Sequence, residues 1–152
     1  MTGAFANLRI LHLSLVASLL IFTGVAVGLK LTNTFPSLDE SVDRILQVAV
    51  ILVSLPALLF GFRLFKRRIL EARGMNAPAY ERLMAYRSAC VTWWAMIDFP
   101  GVFAIVGYLL TGNFAYLFLA AFHIMLLILF TPRKDNIAVL LNFSSEDMKG
   151  LS

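Results

Sequence analysis

Four apolar runs of about twenty residues each dominate this chain, at about 10–29, 45–65, 89–110 and 114–131. At ~1.5 Å rise per residue, a run of that length matches the ~30 Å hydrocarbon thickness of a bilayer, and it leaves no polar face for a soluble fold to show to water. Composition agrees: the chain is 60% hydrophobic and 14% charged, against ~45–50% and ~25% for an ordinary soluble domain. The mean hydropathy is +0.83. The expected fold is all-α: a polytopic membrane protein with four transmembrane helices in an antiparallel bundle. The 152 residues form a single unit (1–152), because no connection is long enough to hold a separate soluble domain.

Charge then orients the bundle. The chain has thirteen Lys and Arg. Arg9, seven bases between Arg63 and Arg87, and Arg133, Lys134 and Lys149 fall on one side, and only Lys30 and Arg44 on the other. Such an asymmetry in short loops places the basic side in the cytoplasm. Both termini are therefore expected there, in a multi-pass protein of a bacterial inner (plasma) membrane. The first run is longer than the apolar region of a cleaved leader and is read as a retained span. A pI near 9.6 would raise nucleic acid in a soluble protein. Here the bases Arg63, Lys66, Arg67, Arg68 and Arg73 sit at a membrane edge, where lipid headgroups or a partner protein are the expected contacts and nucleic acid is not. Cys90 is the only cysteine, so no intrachain disulfide can form.

Between the second and third runs, residues 66–88 form a cytoplasmic helical hairpin. Phe65 to Arg73 is rich in helix formers and stops at Gly74, and Pro78 can open the next helix. The opposite hairpin is only Thr111-Gly112-Asn113, which forces the third and fourth spans to be antiparallel neighbours. The tail, 132–152, begins at Pro132 and reads as a short interfacial helix, followed by an N-cap at Ser144. Laying Phe22 on Phe103 gives a faint parallel repeat of the first hairpin in the second.

Asp98 is the residue that most invites chemistry, because it lies near the middle of the third run. An ionised carboxylate facing lipid there costs ~2.5–3.5 kcal/mol, so it must meet protein or water, or keep its proton. Ser18, Ser54 and His123 fall at a similar depth in the other three runs. A turn centred on Gly112 leaves Asp98 and His123 about three residues, or ~4 Å, out of register, close enough for an Asp–His pair. The alternative for Asp98 is a hydrogen-bonded strut that fixes helix packing. Pro100 and Gly101 beside it, and Pro56 in the second run, predict kinks near this depth.

Gly24-Val25-Ala26-Val27-Gly28 is a G-x-x-x-G motif suited to close helix approach, within one chain or between copies. Trp93 and Trp94 near one end, with Tyr108 and Tyr116 near the other, fit aromatic belts. His12 and His123 differ in depth by about five residues, ~7.5 Å, so a bis-histidine haem is not expected. No catalytic constellation, metal-ligand spacing or phosphate loop is present, and no cofactor is expected.

The run Ala95-Met96-Ile97-Asp98-Phe99-Pro100-Gly101, continuing through Phe103, Gly107, Gly112 and Asn113 and followed by Thr131-Pro132-Arg133-Lys134, resembles a family of small uncharacterised four-span bacterial membrane proteins. That family places Glu-Gly-Pro where this chain has Asp98-Phe99-Pro100, and the resemblance implies no activity. A looser similarity is to the proteolipid subunit of rotary ATPases, with its helical hairpin and mid-membrane carboxylate. The leading expectation is a non-enzymatic accessory or oligomerising subunit of a membrane assembly, partnered by a homo-oligomer or another membrane protein. The alternatives are a proton or cation pathway through Asp98 with His123, Ser18 and Ser54, and a lipid or quinone site near Trp93, Trp94 and His123.

Overall fold

The computed structural model describes residues 2–34 and 36–149. Positions 1, 35 and 150–152 of the expected single unit lie outside the described residues. Among the described residues every regular element is helical: α1 Thr2–Leu31, α2 Glu40–Gly74, α3 Ala79–Thr111, α4 Phe114–Leu129, α5 Lys134–Leu141 and α6 Ser145–Lys149. Three of these, α1, α2 and α3, are long and apolar enough to cross a membrane. A fourth crossing requires α4 and α5 to count as one broken span, bent by 73°.

The fourth run is thus shorter than expected. Its 16 residues make ~24 Å of helix, below the ~30 Å of hydrocarbon. Pro132 ends it, since proline cannot continue the ladder and disfavours helix in the residue before it. The tail then turns into α5 as an amphipathic segment, with Ile137 and Leu141 buried and Val139 75% exposed. Ser144 caps α6: its Oγ accepts from the Asp147 N–H at 3.2 Å, and its own N–H donates to Asp147 Oδ2 at 2.9 Å.

Each hairpin forms for the reason read in the sequence. α2 runs past the apolar region to Gly74, and α3 starts directly after Pro78. At the other end Gly112 takes φ 73°, a left-handed conformation that glycine adopts without cost. Its N–H closes the helix on the Tyr108 carbonyl at 2.7 Å, and Asn113 Oδ1 caps α4 through the Ala115 N–H.

The packing order departs from a simple up-and-down bundle. α3 is the central helix: it packs against α1, α2 and α4, while α1 also meets α4 and α2 meets α5. α1 and α2, consecutive in the chain, make only marginal contact, so the two hairpins of the faint repeat are not packed alike. The composition of α3 explains its place, because it carries residues that let backbones approach. A Cβ at Gly107 would come within 2.7 Å of the Tyr116 ring, and one at Gly101 within 3.1 Å of His123 Cβ. On α2, a Cβ at Gly61 would meet Met96 Cβ at 2.8 Å. By contrast nothing lies within 4 Å of a Cβ placed on Gly24 or Gly28. The two glycines of the G-x-x-x-G motif thus face away from the described residues, while Ala26 between them is buried.

Trp93, Trp94, Tyr108 and Tyr116 are all buried. They are core residues rather than outward-facing belts. Neither Pro56 nor Pro100 interrupts its helix: α2 and α3 are continuous across both.

Candidate functional site

The α3–α4 register follows from the three-residue turn. Gly107 faces Tyr116, and Gly101 faces His123. His123 therefore lands on Gly101, about one turn beyond Asp98. It is fully buried, and its Nδ1 donates to the Leu119 carbonyl one turn back at 2.8 Å. That carbonyl can only accept, which puts the ring proton on Nδ1. His123 Nε2 has no hydrogen-bond partner. Asp98 is half-buried, with Oδ1 shielded from solvent and likewise unpartnered. The expected Asp98–His123 hydrogen bond is not made.

The two serines do not complete a route either. Ser18 is exposed on α1 and donates to the Leu15 carbonyl of its own helix at 2.9 Å. Ser54 is buried on α2 with an unpartnered Oγ. Extending the Gly61–Met96 register places Ser54 opposite Phe103, about five residues and ~7.5 Å along the axis from Asp98. The four polar groups, expected at one depth on four helices, thus differ in depth by up to ~7.5 Å and point to different surroundings. The pairing register and the azimuth of each side chain are set by packing.

Asp98 sits at the edge of an outward stripe on α3. Val91, Ala95 and Phe99 are exposed along it, Phe99 at 64%. The carboxyl group borders the surroundings and has no hydrogen-bond donor among the described residues.

A residue that sequence reasoning weighed only as a haem ligand proves central to packing. His12, buried on α1, bonds through Nε2 to the Leu127 carbonyl at 2.8 Å and stands edge-on to Trp94 at 4.8 Å. Trp94 Nε1 donates to the Phe130 carbonyl at 3.2 Å. Both acceptors lie at the C-terminal end of α4, where the helical ladder runs out; the Leu127 carbonyl also accepts from the Phe130 N–H at 3.2 Å. The signal for this was a histidine and a tryptophan at matching depth in parallel helices.

Of the basic residues, Arg67 pairs with Glu71 at 2.8 Å and Arg68 donates to Thr92 Oγ1 at 2.7 Å. Arg82 reaches the carbonyls of Ala72 and Leu141 and lies over the Phe143 ring at 4.9 Å, which ties α2 to the tail. Lys66 and Arg73 line a groove bounded by α2, α3, the end of α4 and α5. Arg63 is exposed on α2.

At the opposite end Asp43 accepts from Asn113 Nδ2 at 2.8 Å and Gln47 Nε2 at 3.1 Å, and its carbonyl accepts from the Tyr116 hydroxyl at 2.9 Å. The Asn113 donor chiefly holds this carboxyl group below its usual range. Among the described residues no group of three or more His, Cys, Asp or Glu could hold a metal ion. Comparison with family models, curated proteins and solved structures finds no match for this chain.

Proposed function

We propose that this chain is a non-enzymatic integral membrane protein that acts as an accessory or oligomerising subunit of a membrane assembly, with its basic end in the bacterial cytoplasm. The observation that carries this reading is Asp98: a mid-span acid at the edge of an exposed apolar stripe, without a hydrogen-bond partner among the described residues. A carboxyl group left against lipid is costly, and a donor on a neighbouring transmembrane helix removes that cost. The open faces of Gly24 and Gly28 on α1 favour the same reading, since they offer close backbone approach to a helix from outside the chain.

No comparable observation favours the proton or cation pathway, which needs Asp98, His123, Ser18 and Ser54 to communicate. Its decisive test is flux in proteoliposomes, where activity abolished by Asp98→Asn would reinstate it.

The subunit reading is tested by photocrosslinking in native membranes, with the crosslinker at Ala95 or Phe99 and a control at Phe118 on α4. A discrete adduct from the α3 positions, absent at Phe118, is expected. Asp98→Leu removes the adduct, and Asp98→Asn, which still hydrogen-bonds, retains it. Recovery of monomer alone from Ala95 and Phe99 would falsify the proposal.

A further inference from the structure

The groove at the basic end has a volume of about 460 Å³, within the ~300–1,000 Å³ of small-molecule sites. Its inner wall is aromatic. Trp93 stacks on Phe65 at 6.2 Å and 27°, Phe62 lies 5.7 Å away, and Phe130 stands edge-on at 5.2 Å. The mouth is cationic: Lys66 and Arg73, seven residues apart and so two turns along one face of α2, line it. Both are exposed, neither has an ion-pair partner among the described residues, and no acidic residue lines the groove. Nearby Arg67, in contrast, is neutralised by Glu71.

An occupant complementary to these walls has an anionic head for Lys66 and Arg73 and an apolar tail for the aromatic wall. We propose that the groove binds an anionic phospholipid drawn from the surrounding bilayer, with its phosphate on Lys66 and Arg73 and an acyl chain along Phe62, Phe65 and Phe130. Unpaired positive charge selects this occupant over a neutral amphiphile, because a cationic mouth attracts anionic headgroups specifically. His123 does not line the groove, so the site is separate from the mid-span polar residues. The proposal is also independent of the subunit reading, since Asp98 and its stripe play no part in it.

The two tryptophans provide the test. They are the only ones in the chain, both line the groove, and both are buried from bulk lipid. Bromine on an acyl chain quenches indole fluorescence by contact, so quenching reports a chain inside the groove. The intact protein is reconstituted in phosphatidylcholine bilayers carrying increasing mole fractions of either dibrominated phosphatidylglycerol or dibrominated phosphatidylcholine. Quenching by the glycerol lipid is expected to saturate at a mole fraction at least tenfold below that needed with the choline lipid. Replacing both cations, Lys66→Gln with Arg73→Gln, shifts the curve for the glycerol lipid by about tenfold or more toward that of choline. The charge-matched control Arg9→Gln with Arg133→Gln leaves it in place.

Equal quenching by both lipids would overturn the proposal and point to a neutral amphiphile. So would a curve unmoved by the Lys66 and Arg73 replacements in a protein whose helical circular dichroism is unchanged.

Discussion

Individual glycines divide into two kinds, and residue type alone does not separate them. Gly61 and Gly107 sit where a neighbouring side chain leaves no room and Gly101 where it leaves little, whereas Gly24 and Gly28 face open space. Gly61→Ala is therefore expected to cost roughly 1–3 kcal/mol, because its Cβ would press on Met96 Cβ, an atom with no freedom to swing away. Gly24→Ala and Gly28→Ala should leave the monomer as stable as the parent or slightly more stable, since alanine is the better helix former. Thermal unfolding in detergent micelles checks the pair. Equal losses at Gly61 and Gly24 would show that the α2–α3 approach does not depend on glycine. The sequence motif drew attention to Gly24 and Gly28, but the packing uses Gly61 and Gly107, which belong to no recognised spacing.

Among the elements, α4 depends most on its neighbours. It is short, and Pro132 prevents its last carbonyls from being satisfied by further helix. His12 from α1 and Trp94 from α3 add side-chain donors at this end, to Leu127 and Phe130. His12→Phe keeps the ring against Trp94 and removes the donor, leaving the Leu127 carbonyl only its 3.2 Å bond from the Phe130 N–H. The expected loss is ~0.5–1.5 kcal/mol. Amide exchange of α4 in bicelles should rise most in its final turn, around Leu127 to Phe130, while α2 stays unchanged. Uniform acceleration over all helices would instead mean that His12 acts through general packing.

On the scale of the whole molecule, α2 is fastened at both ends. Arg82 binds the end of α2 to the tail at the basic end. At the other end Asp43 grips Asn113, and the Leu38 N–H donates to the Leu110 carbonyl at 3.0 Å. Because the folded-state pKa of Asp43 is depressed, its contribution to stability is fully present above the unfolded value, near 3.8. It is lost as pH falls through the lower folded value. Asp43→Asn should thus unfold at a lower temperature than the parent at pH 6, and the gap should narrow as pH is taken below 4. A gap that stays constant across that range would assign the Asp43 contribution to geometry rather than charge.

Much of this architecture was already legible in the chain. Run length set the place of α1, α2 and α3, because ~1.5 Å per residue fixes how much chain is needed to match a hydrocarbon layer; the fourth run fell short of it in α4. Gly112 and Asn113 set the tight turn, and from it came the register that places His123 on Gly101 rather than on Asp98. What lies around each helix was decided only by the tertiary structure. The central position of α3, the outward face of Ser18, the separation of Asp98 from His123, and the groove between Trp93 and Lys66 all depend on helix rotation and on which helices touch. Helices that are apolar on every side carry no amphipathic stripe to mark their inner face. Their rotation is fixed by the fit of particular side chains and glycines across contacts distant in sequence.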